Sequence, residues 1–290
     1  MVTAQPETPN LHYGRIVVDT ARRILYLYRW GDHLLYRSDD FGEHWQIVSR
    51  AMYYQVALAP QSNGALYAIH GDWRMRRSDD GGFTWRDLAQ PLAIPDETVL
   101  AVAPNGTLYA IANQQLFRSS DGGLSWTRWG DWPATARPRE LLVGPDGALI
   151  ALIASPDQPS VSGRALWRST DGANWVAAPL LATRIAVSIV TGGALWAGSD
   201  DGRVWRNLDS NRWHDLAGWR ELPLQLARPM TLCDGIPYTP DITDISVGAN
   251  GVVLVGIIHG IYRAATPDGP TLLRARSAAH RRSVHNSPIT

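Results

Sequence analysis

Ser78 to Trp85 reads SDDGGFTW, and the same pattern, S-x-D-x-G-x-x-W, stands at Ser38 to Trp45 (SDDFGEHW) and at Ser119 to Trp126 (SSDGGLSW). A form one residue shorter, STDGANW, runs from Ser169 to Trp175, and a decayed form, NLDSNRW, runs from Asn207 to Trp213. A further unit keeps only its flanks, where Asn250 to Ala264 (NGVVLVGIIHGIYRA) aligns without a gap on Asn105 to Ser119 (NGTLYAIANQQLFRS). Arginine holds one register position throughout: Arg37, Arg77, Arg118, Arg168, Arg206 and Arg263. A module of roughly 40 residues that recurs with two insertions signals a repeat architecture.

Each unit reads as four short strands separated by turn residues, and no amphipathic helical stretch of useful length interrupts them. In the third unit, Val99 to Ala103 and Thr107 to Ala112 flank Asn105-Gly106, which predicts a type I′ hairpin turn with positive φ at both central residues. The same signal recurs at Asn63-Gly64, Asp146-Gly147, Gly192-Gly193 and Asn250-Gly251. Four antiparallel strands in roughly 40 residues make a propeller blade, because radial repetition leaves only short, protected sheet edges. The expectation is an all-β chain forming a single β-propeller of six four-stranded antiparallel blades. The blades fall at about 13–52, 53–97, 98–139, 140–184, 185–241 and 242–277, with an N-terminal extension at 1–12 and a C-terminal tail at 278–290.

The recurring residues have a local physical use. An aspartate carboxylate accepts backbone N–H groups across a tight turn, glycine supplies positive φ, and tryptophan fills the space between packed sheets. Asp40, Asp80, Asp121 and Asp171 therefore read as scaffold rather than as metal ligands or catalysts, and the six register arginines as frame. An aromatic-Arg pair followed by S-x-D-x-G-x-x-W resembles the Asp-box, or BNR, repeat of sialidase-like β-propellers, over roughly Tyr13 to Ser277. The resemblance implies Asp-box turns between the third and fourth strands of each blade. It extends to sialidases, sortilin-type receptors, some endoglucanases and photosystem II assembly factors, whose activities differ, so fold alone does not choose a function.

Composition narrows the classes. The chain has 290 residues, 45% hydrophobic and 19% charged, with 27 Lys+Arg against 27 Asp+Glu. This balance argues against a polyelectrolyte or a nucleic-acid binder, although Arg274 to Arg282 (RARSAAHRR) is locally basic. Every one of the cationic side chains is arginine, which closes Schiff-base chemistry and Walker-type phosphate loops. Cys233 is the single cysteine, no Cys/His cluster has zinc spacing, and no cofactor or metal is expected. No apolar run is long enough to span a membrane, and Met1 to Asn10 has no signal-peptide pattern, which leaves the compartment and the oligomeric state open.

Strand order places the candidate site. In a blade the first-to-second and third-to-fourth turns share one end, and the other two connections share the opposite end. With the aspartate turns at the first end, the opposite end is free to vary and carries recognition loops. Trp45, Trp85, Trp126, Trp175 and Trp213 hold the motif position, and Trp167, Trp196 and Trp205 fall at apolar strand positions. Trp30, Trp73, Trp129, Trp132 and Trp219 are expected exposed on the opposite end, beside His33, His70, Arg137, Arg139 and Arg220. Tryptophan and arginine are the side chains most enriched in binding hot spots, and aromatic platforms also suit sugar rings. Ser155 to Arg164 and Ala217 to Asp241 add loops, the second read as a short helix or lid. His33 and His259 occupy equivalent positions and read as solvated loop histidines.

These readings favour a non-enzymatic propeller that recognises a protein segment or carbohydrate, without nucleic acid. The alternative is a sialidase-like glycoside hydrolase. The resemblance would then require an Arg-Ile-Pro motif on the first inner strand, where this chain has Arg15-Ile16-Val17. Two-carboxylate glycosidases need a facing pair, and Asp32, Asp72, Asp96, Glu97, Glu140, Glu221 and Asp241 are the acidic candidates, none paired by sequence. An assembly factor is a third reading, supported by Arg137, Arg139, Arg184 and Arg228.

Overall fold

A computed structural model describes residues 14–274 except 20–21, 30–32, 41–43, 52, 59–63, 89–97, 134–136, 145, 155–163, 183, 188–193, 199–202, 208, 223–224, 227–229, 232–236, 239–241, 248–252, 258–259 and 265–270. Five four-stranded antiparallel sheets follow one another along the chain. The first holds β1 (Gly14–Asp19), β2 (Ile24–Arg29), β3 (Leu34–Ser38) and β4 (Gln46–Ser49). The second holds β5 (Tyr53–Leu58), β6 (Leu66–His70), β7 (Met75–Ser78) and β8 (Arg86–Asp87). The third holds β9 (Val99–Val102), β10 (Leu108–Ala112), β11 (Gln115–Ser119) and β12 (Thr127–Asp131). The fourth holds β13 (Arg137–Val143), β14 (Leu149–Ala154), β15 (Arg164–Ser169) and β16 (Val176–Ala182). The fifth holds β17 (Arg184–Val187), β18 (Leu195–Gly198), β19 (Val204–Asn207) and β20 (Trp219–Leu222).

Six four-stranded blades were expected, and the last unit departs from that pattern. The excursion after β20 supplies β21 (Gln225–Leu226) and a two-stranded ribbon of β22 (Met230–Thr231) and β23 (Pro237–Tyr238). β24 (Ile242–Val247), β25 (Val253–Ile257), β26 (Gly260–Ala264) and β27 (Thr271–Arg274) then form a sheet whose outer strand is joined by β21, making five strands in all. The β21–β27 pair is parallel, with Gln225 opposite Thr271. The expected lid is thus in part an added strand, and it covers the outer edge of the neighbouring sheet, which would otherwise present unpaired backbone groups.

The first strands β1, β5, β9, β13 and β17 lie side by side in order, then β24, which returns against β1. The ring of a β-propeller closes in this way, through packing of the last sheet on the first. The core lies between sheets. Tyr26, Tyr28 and Leu35 of the first meet Val56, Leu66 and Ala68 of the second, and Tyr67, Ile69 and Met75 of the second meet Leu100, Leu108 and Ala110 of the third. Among the described residues no helix is long and apolar enough to cross a membrane.

The S-x-D-x-G-x-x-W turns connect third and fourth strands. In the second sheet Asp80 Oδ1 accepts from Ser78 Oγ at 2.8 Å and from the Phe83 and Thr84 backbone N–H groups at 3.1 and 2.9 Å. Its Oδ2 accepts from Thr84 Oγ1 at 2.5 Å. Ser78 Oγ in turn accepts from the Gly82 N–H, and the Trp85 indole N–H donates to the Gly82 carbonyl. Asp121 repeats the pattern with Ser119, Leu124 and Ser125, and Asp171 with Ser169, Ala173 and Asn174. Asp40 uses His44, whose backbone N–H and ring Nδ1 lie 2.9 and 2.5 Å from the carboxylate. The slight burial of Asp80 opposes ionisation, but the bonds from Thr84 and Ser78 outweigh it and hold the carboxyl down to about 2. These carboxylates close turns, as their spacing predicts.

The hairpin turns differ from expectation. Among Asn105 and Gly106, only Gly106 has positive φ, at 85°. The Gly106 N–H bonds to the Ala103 carbonyl and the Ala103 N–H to the Thr107 carbonyl, so the loop has three residues and one left-handed position. Asn105 Oδ1 accepts the Thr107 N–H at 3.0 Å, an Asx bond that replaces the second left-handed residue.

Candidate functional site

The end of the ring opposite the aspartate turns, the open rim, concentrates the backbone irregularities. Four of the five described non-glycine residues with positive φ lie in turns between second and third strands there: His33 at 57°, Trp73 at 60°, Asn113 at 48° and Gln114 at 58°. Three first strands also begin at this end with a one-residue register shift, between Tyr53 and Gln55, Pro138 and Glu140, and Ile242 and Asp244. Bulges re-aim side chains at sheet ends and recur beside functional sites.

The best-defined part of this rim belongs to the second sheet. Backbone bonds join the His70 N–H to the Arg74 carbonyl at 3.0 Å and the Trp73 N–H to the His70 carbonyl at 2.9 Å. Arg76 donates to both oxygens of Asp72, at 3.0 and 2.5 Å, and from Nε to Asp87 Oδ1 at 2.7 Å. Arg74 Nη1 reaches Asp87 Oδ2 at 3.0 Å. Asp87 is held below the usual carboxylate range by its bonds from Arg76 and Arg74; Asp72 is lowered too, the Arg76 bond overcoming partial burial. His70 lies beneath, 5% exposed, its ring 5.1 Å from that of Trp85. Burial, aided by the Arg76 charge, pushes its pKa down to about 4, so it is neutral at physiological pH.

The structure brings His70 and Trp73 into one turn and separates the other expected site residues. His33 is exposed immediately before β3, and Trp73 is half-buried. Arg137 and Arg139 stand at the start of β13, with Arg139 exposed. Three tryptophans depart from the expected loops. Trp129 lies inside β12, half-buried, with its ring 5.2 Å from Tyr109. Trp132 is buried at 3% exposure, edge-on to Trp175 with centroids 4.7 Å apart. Trp219 is buried too and sits at the other end of its sheet, because it begins β20 and pairs with Asn207. The turn preceding it is longer than the motif, holding two short 3₁₀ turns at Ser210–Arg212 and Leu216–Gly218, so Trp213 and Trp219 pack together inside it. Arg220 follows on β20, exposed but away from the open rim. Trp30, Asp32, Asp96, Glu97, Asp241, Cys233 and His259 lie outside the described residues, as do the terminal segments and most of the 155–164 loop.

Sequence reasoning missed Arg76 and Asp87. They face each other across β7 and β8, and a cross-strand pairing of this kind is invisible until the register of the two-residue strand β8 is fixed.

No protein-family model and no curated protein matches the sequence. Solved structures do match in fold. A structure titled YCF48 bound to D1 peptide has TM-score 0.56 and 18% identity, covering 93% of this chain and 82% of that one. Virginiamycin B lyase from Staphylococcus aureus has TM-score 0.57 and 14% identity over 95% of this chain and 88% of that one. The GH74 enzyme of Niastella koreensis has TM-score 0.57 and 14% identity over 89% of this chain, which spans 45% of the enzyme. At such identities the likeness is one of architecture, and with the closed ring of sheets, five of them four-stranded and antiparallel, it establishes this all-β chain as a single β-propeller.

Proposed function

We propose that this propeller is a non-enzymatic binding module that recognises a protein segment or a glycan through its open rim, and that its aspartate turns are Asp-box turns of the BNR type. One observation carries the reading: four of the five described left-handed non-glycine residues and three first-strand bulges gather at the open rim, whereas the described aspartate turns use glycine where φ is positive. Strained backbone persists where surrounding structure over-determines it, and it clusters at ligand sites. His33, Trp73 and Arg139 supply the aromatic and guanidinium groups suited to such a surface. The peptide complex of YCF48 supports the use of this architecture for binding a chain segment. The fold also carries lyase and GH74 activities, but here Asp72 and Asp87 are both engaged by Arg76 and held ionised, which suits structural pairing rather than proton donation.

The test is a peptide array and a glycan array probed with the wild-type chain, with His33→Ala and Trp73→Ala on the open rim, and with Leu124→Ser on the aspartate rim. Signals that fade with the first two variants and persist with the third support the reading. Signals lost only with Leu124→Ser, or blank arrays, overturn it.

A further inference from the structure

Among the described residues four large apolar side chains are exposed, Phe83, Leu124, Val176 and Leu216, all at the aspartate end of the ring. Phe83 and Leu124 stand in separate turns, whereas Val176 and Leu216 border one seam. Val176 lies opposite Arg168, and Arg168 opposite Ile150. Cross-strand partners share a face, and Ile150 packs with Leu195, Trp213 and Trp219 of the fifth sheet. Val176 is therefore on the face of the fourth sheet turned to the fifth. The extended turn of the fifth sheet closes on the same place. Its 3₁₀ turn at Leu216–Gly218 packs against β16, and the Trp213 indole N–H donates to the Val176 carbonyl at 3.0 Å. Along this seam Val176 is 49% and Leu216 51% exposed.

The strand beside this seam lacks the devices that guard the other sheet edges. β8 is Arg86–Asp87, β12 carries Arg128 and Asp131, β20 carries Arg220 and Glu221, and β27 is covered by β21. β4 has four residues, whereas β16 runs for seven, VAAPLLA, without a charge. Edge charges discourage association, and their absence leaves an apolar border. Pro179 has no N–H to offer, so a partner is met here by side chains rather than by an added strand. The polar groups at the border are balanced. Arg212 Nη2 meets Asp215 Oδ2 at 2.6 Å, with side chains 50% and 42% exposed, one residue from Leu216. An apolar pair beside one cation and one anion is complementary to its own two-fold copy, because apolar groups meet their equivalents and each guanidinium meets the other copy's carboxylate. A partner surface of one sign would meet a like charge instead. With 27 Lys+Arg against 27 Asp+Glu, no net charge holds two copies apart.

From these observations we infer that the seam between the fourth and fifth sheets is a self-association surface. A second copy of this chain docks across a two-fold axis through Val176 and Leu216, with Arg212 of each copy paired to Asp215 of the other. The seam lies at the aspartate end, so both open rims stay free in the dimer. The inference is independent of the open-rim reading. Two large apolar side chains make a small patch against the roughly 800 Å² per partner of a standard interface, so the association is weak.

Sedimentation equilibrium of the full chain, from about 1 µM to about 1 mM, is expected to show monomer and dimer with a dissociation constant between about 10 µM and about 1 mM. Leu216→Glu should raise that constant at least about tenfold without moving the thermal midpoint, since the side chain is exposed. Phe83→Ser, at an apolar side chain 52% exposed in another turn, should leave it unchanged. Arg212→Glu and Asp215→Arg should each weaken self-association. An equimolar mixture of these two variants should associate more tightly than either alone, because an acidic seam then meets a basic one. That recovery requires both variants folded, which separates a lost contact from a lost fold. A monomer throughout, association indifferent to Leu216→Glu, equal weakening by Phe83→Ser, or no recovery in the mixture overturns the inference. If the chain stays monomeric and Leu216→Glu abolishes peptide-array signals, the seam serves a different protein segment and self-association falls. His33→Ala and Trp73→Ala on the arrays decide the open-rim reading separately.

Discussion

The guanidinium of Arg37 lies across Gly81, the glycine of the aspartate turn in the next sheet: a Cβ at 81 would fall 1.9 Å from Arg37 Nη1. The register arginine of one sheet thus roofs the turn of its successor, and Arg77 does the same over Gly122 at 2.8 Å. Gly81 also has φ of 81°, so alanine there adds backbone strain to a displaced, half-buried arginine. Gly147 has the same φ of 81° with nothing within 4 Å of an added Cβ. Gly81→Ala is expected to cost about 2–3 kcal/mol and Gly147→Ala about 1 kcal/mol in urea unfolding. Equal costs would show that the inter-sheet contact contributes nothing.

Asp80 satisfies one serine hydroxyl, one threonine hydroxyl and two backbone N–H groups. Asp80→Ala orphans them at a solvent-exposed turn, where losing a comparable cap costs about 1–2 kcal/mol. Asp80→Asn keeps one acceptor oxygen and should cost less. Because its pKa is lowered from 3.8 to about 2, the ionised form stabilises the fold above the unfolded value, and that contribution is lost as pH falls from about 4 through about 2. Thermal scans across that window should show wild type falling and converging on Asp80→Ala.

His70 titrates in a different window. Its imidazole is buried between Trp85 and the Arg76 charge, and its pKa is lowered from 6.5 to about 4. The unfolded chain takes up the proton first, so no stability is lost above the unfolded value, and stability falls as pH drops from about 6.5 to about 4, by an amount on the order of 3 kcal/mol. Chemical denaturation at steps across that range should show the decline in wild type and its near absence in His70→Gln. A flat wild-type profile would mean that the histidine is solvated.

How much of this was legible in the sequence follows from the range of the interactions. Ser78 to Trp85 bonds almost entirely within itself, so its pattern disclosed turn, strand order and ring. The open rim was legible as a place, since strand order alone separates the two ends, and the His70–Arg74 turn was found there. Its chemistry was not, because the pairing of Arg76 with Asp87 depends on the register of a two-residue strand. Trp219 was misplaced because a turn extended by two 3₁₀ segments moved it to the start of β20. The parallel β21–β27 pair joins residues 46 positions apart, Gln225 and Thr271, with no periodicity to announce it.

Trp132 tests the line between frame and surface. It follows β12, where its place in the connection to the next sheet predicted an exposed aromatic, yet it is 3% exposed, packed against Trp175 and Trp167 with centroids 4.7 and 6.3 Å away. It therefore joins the third sheet to the fourth, in the cluster with Leu116, Leu141 and Ile153. Trp132→Ala should cost about 3–5 kcal/mol by opening a cavity between sheets, whereas Leu124→Ser, at a side chain 63% exposed on the aspartate rim, should stay within about 0.5 kcal/mol. Guanidinium midpoints of the two variants check both values. A mild Trp132→Ala would return that indole to the open surface and place it again among the candidate ligand contacts.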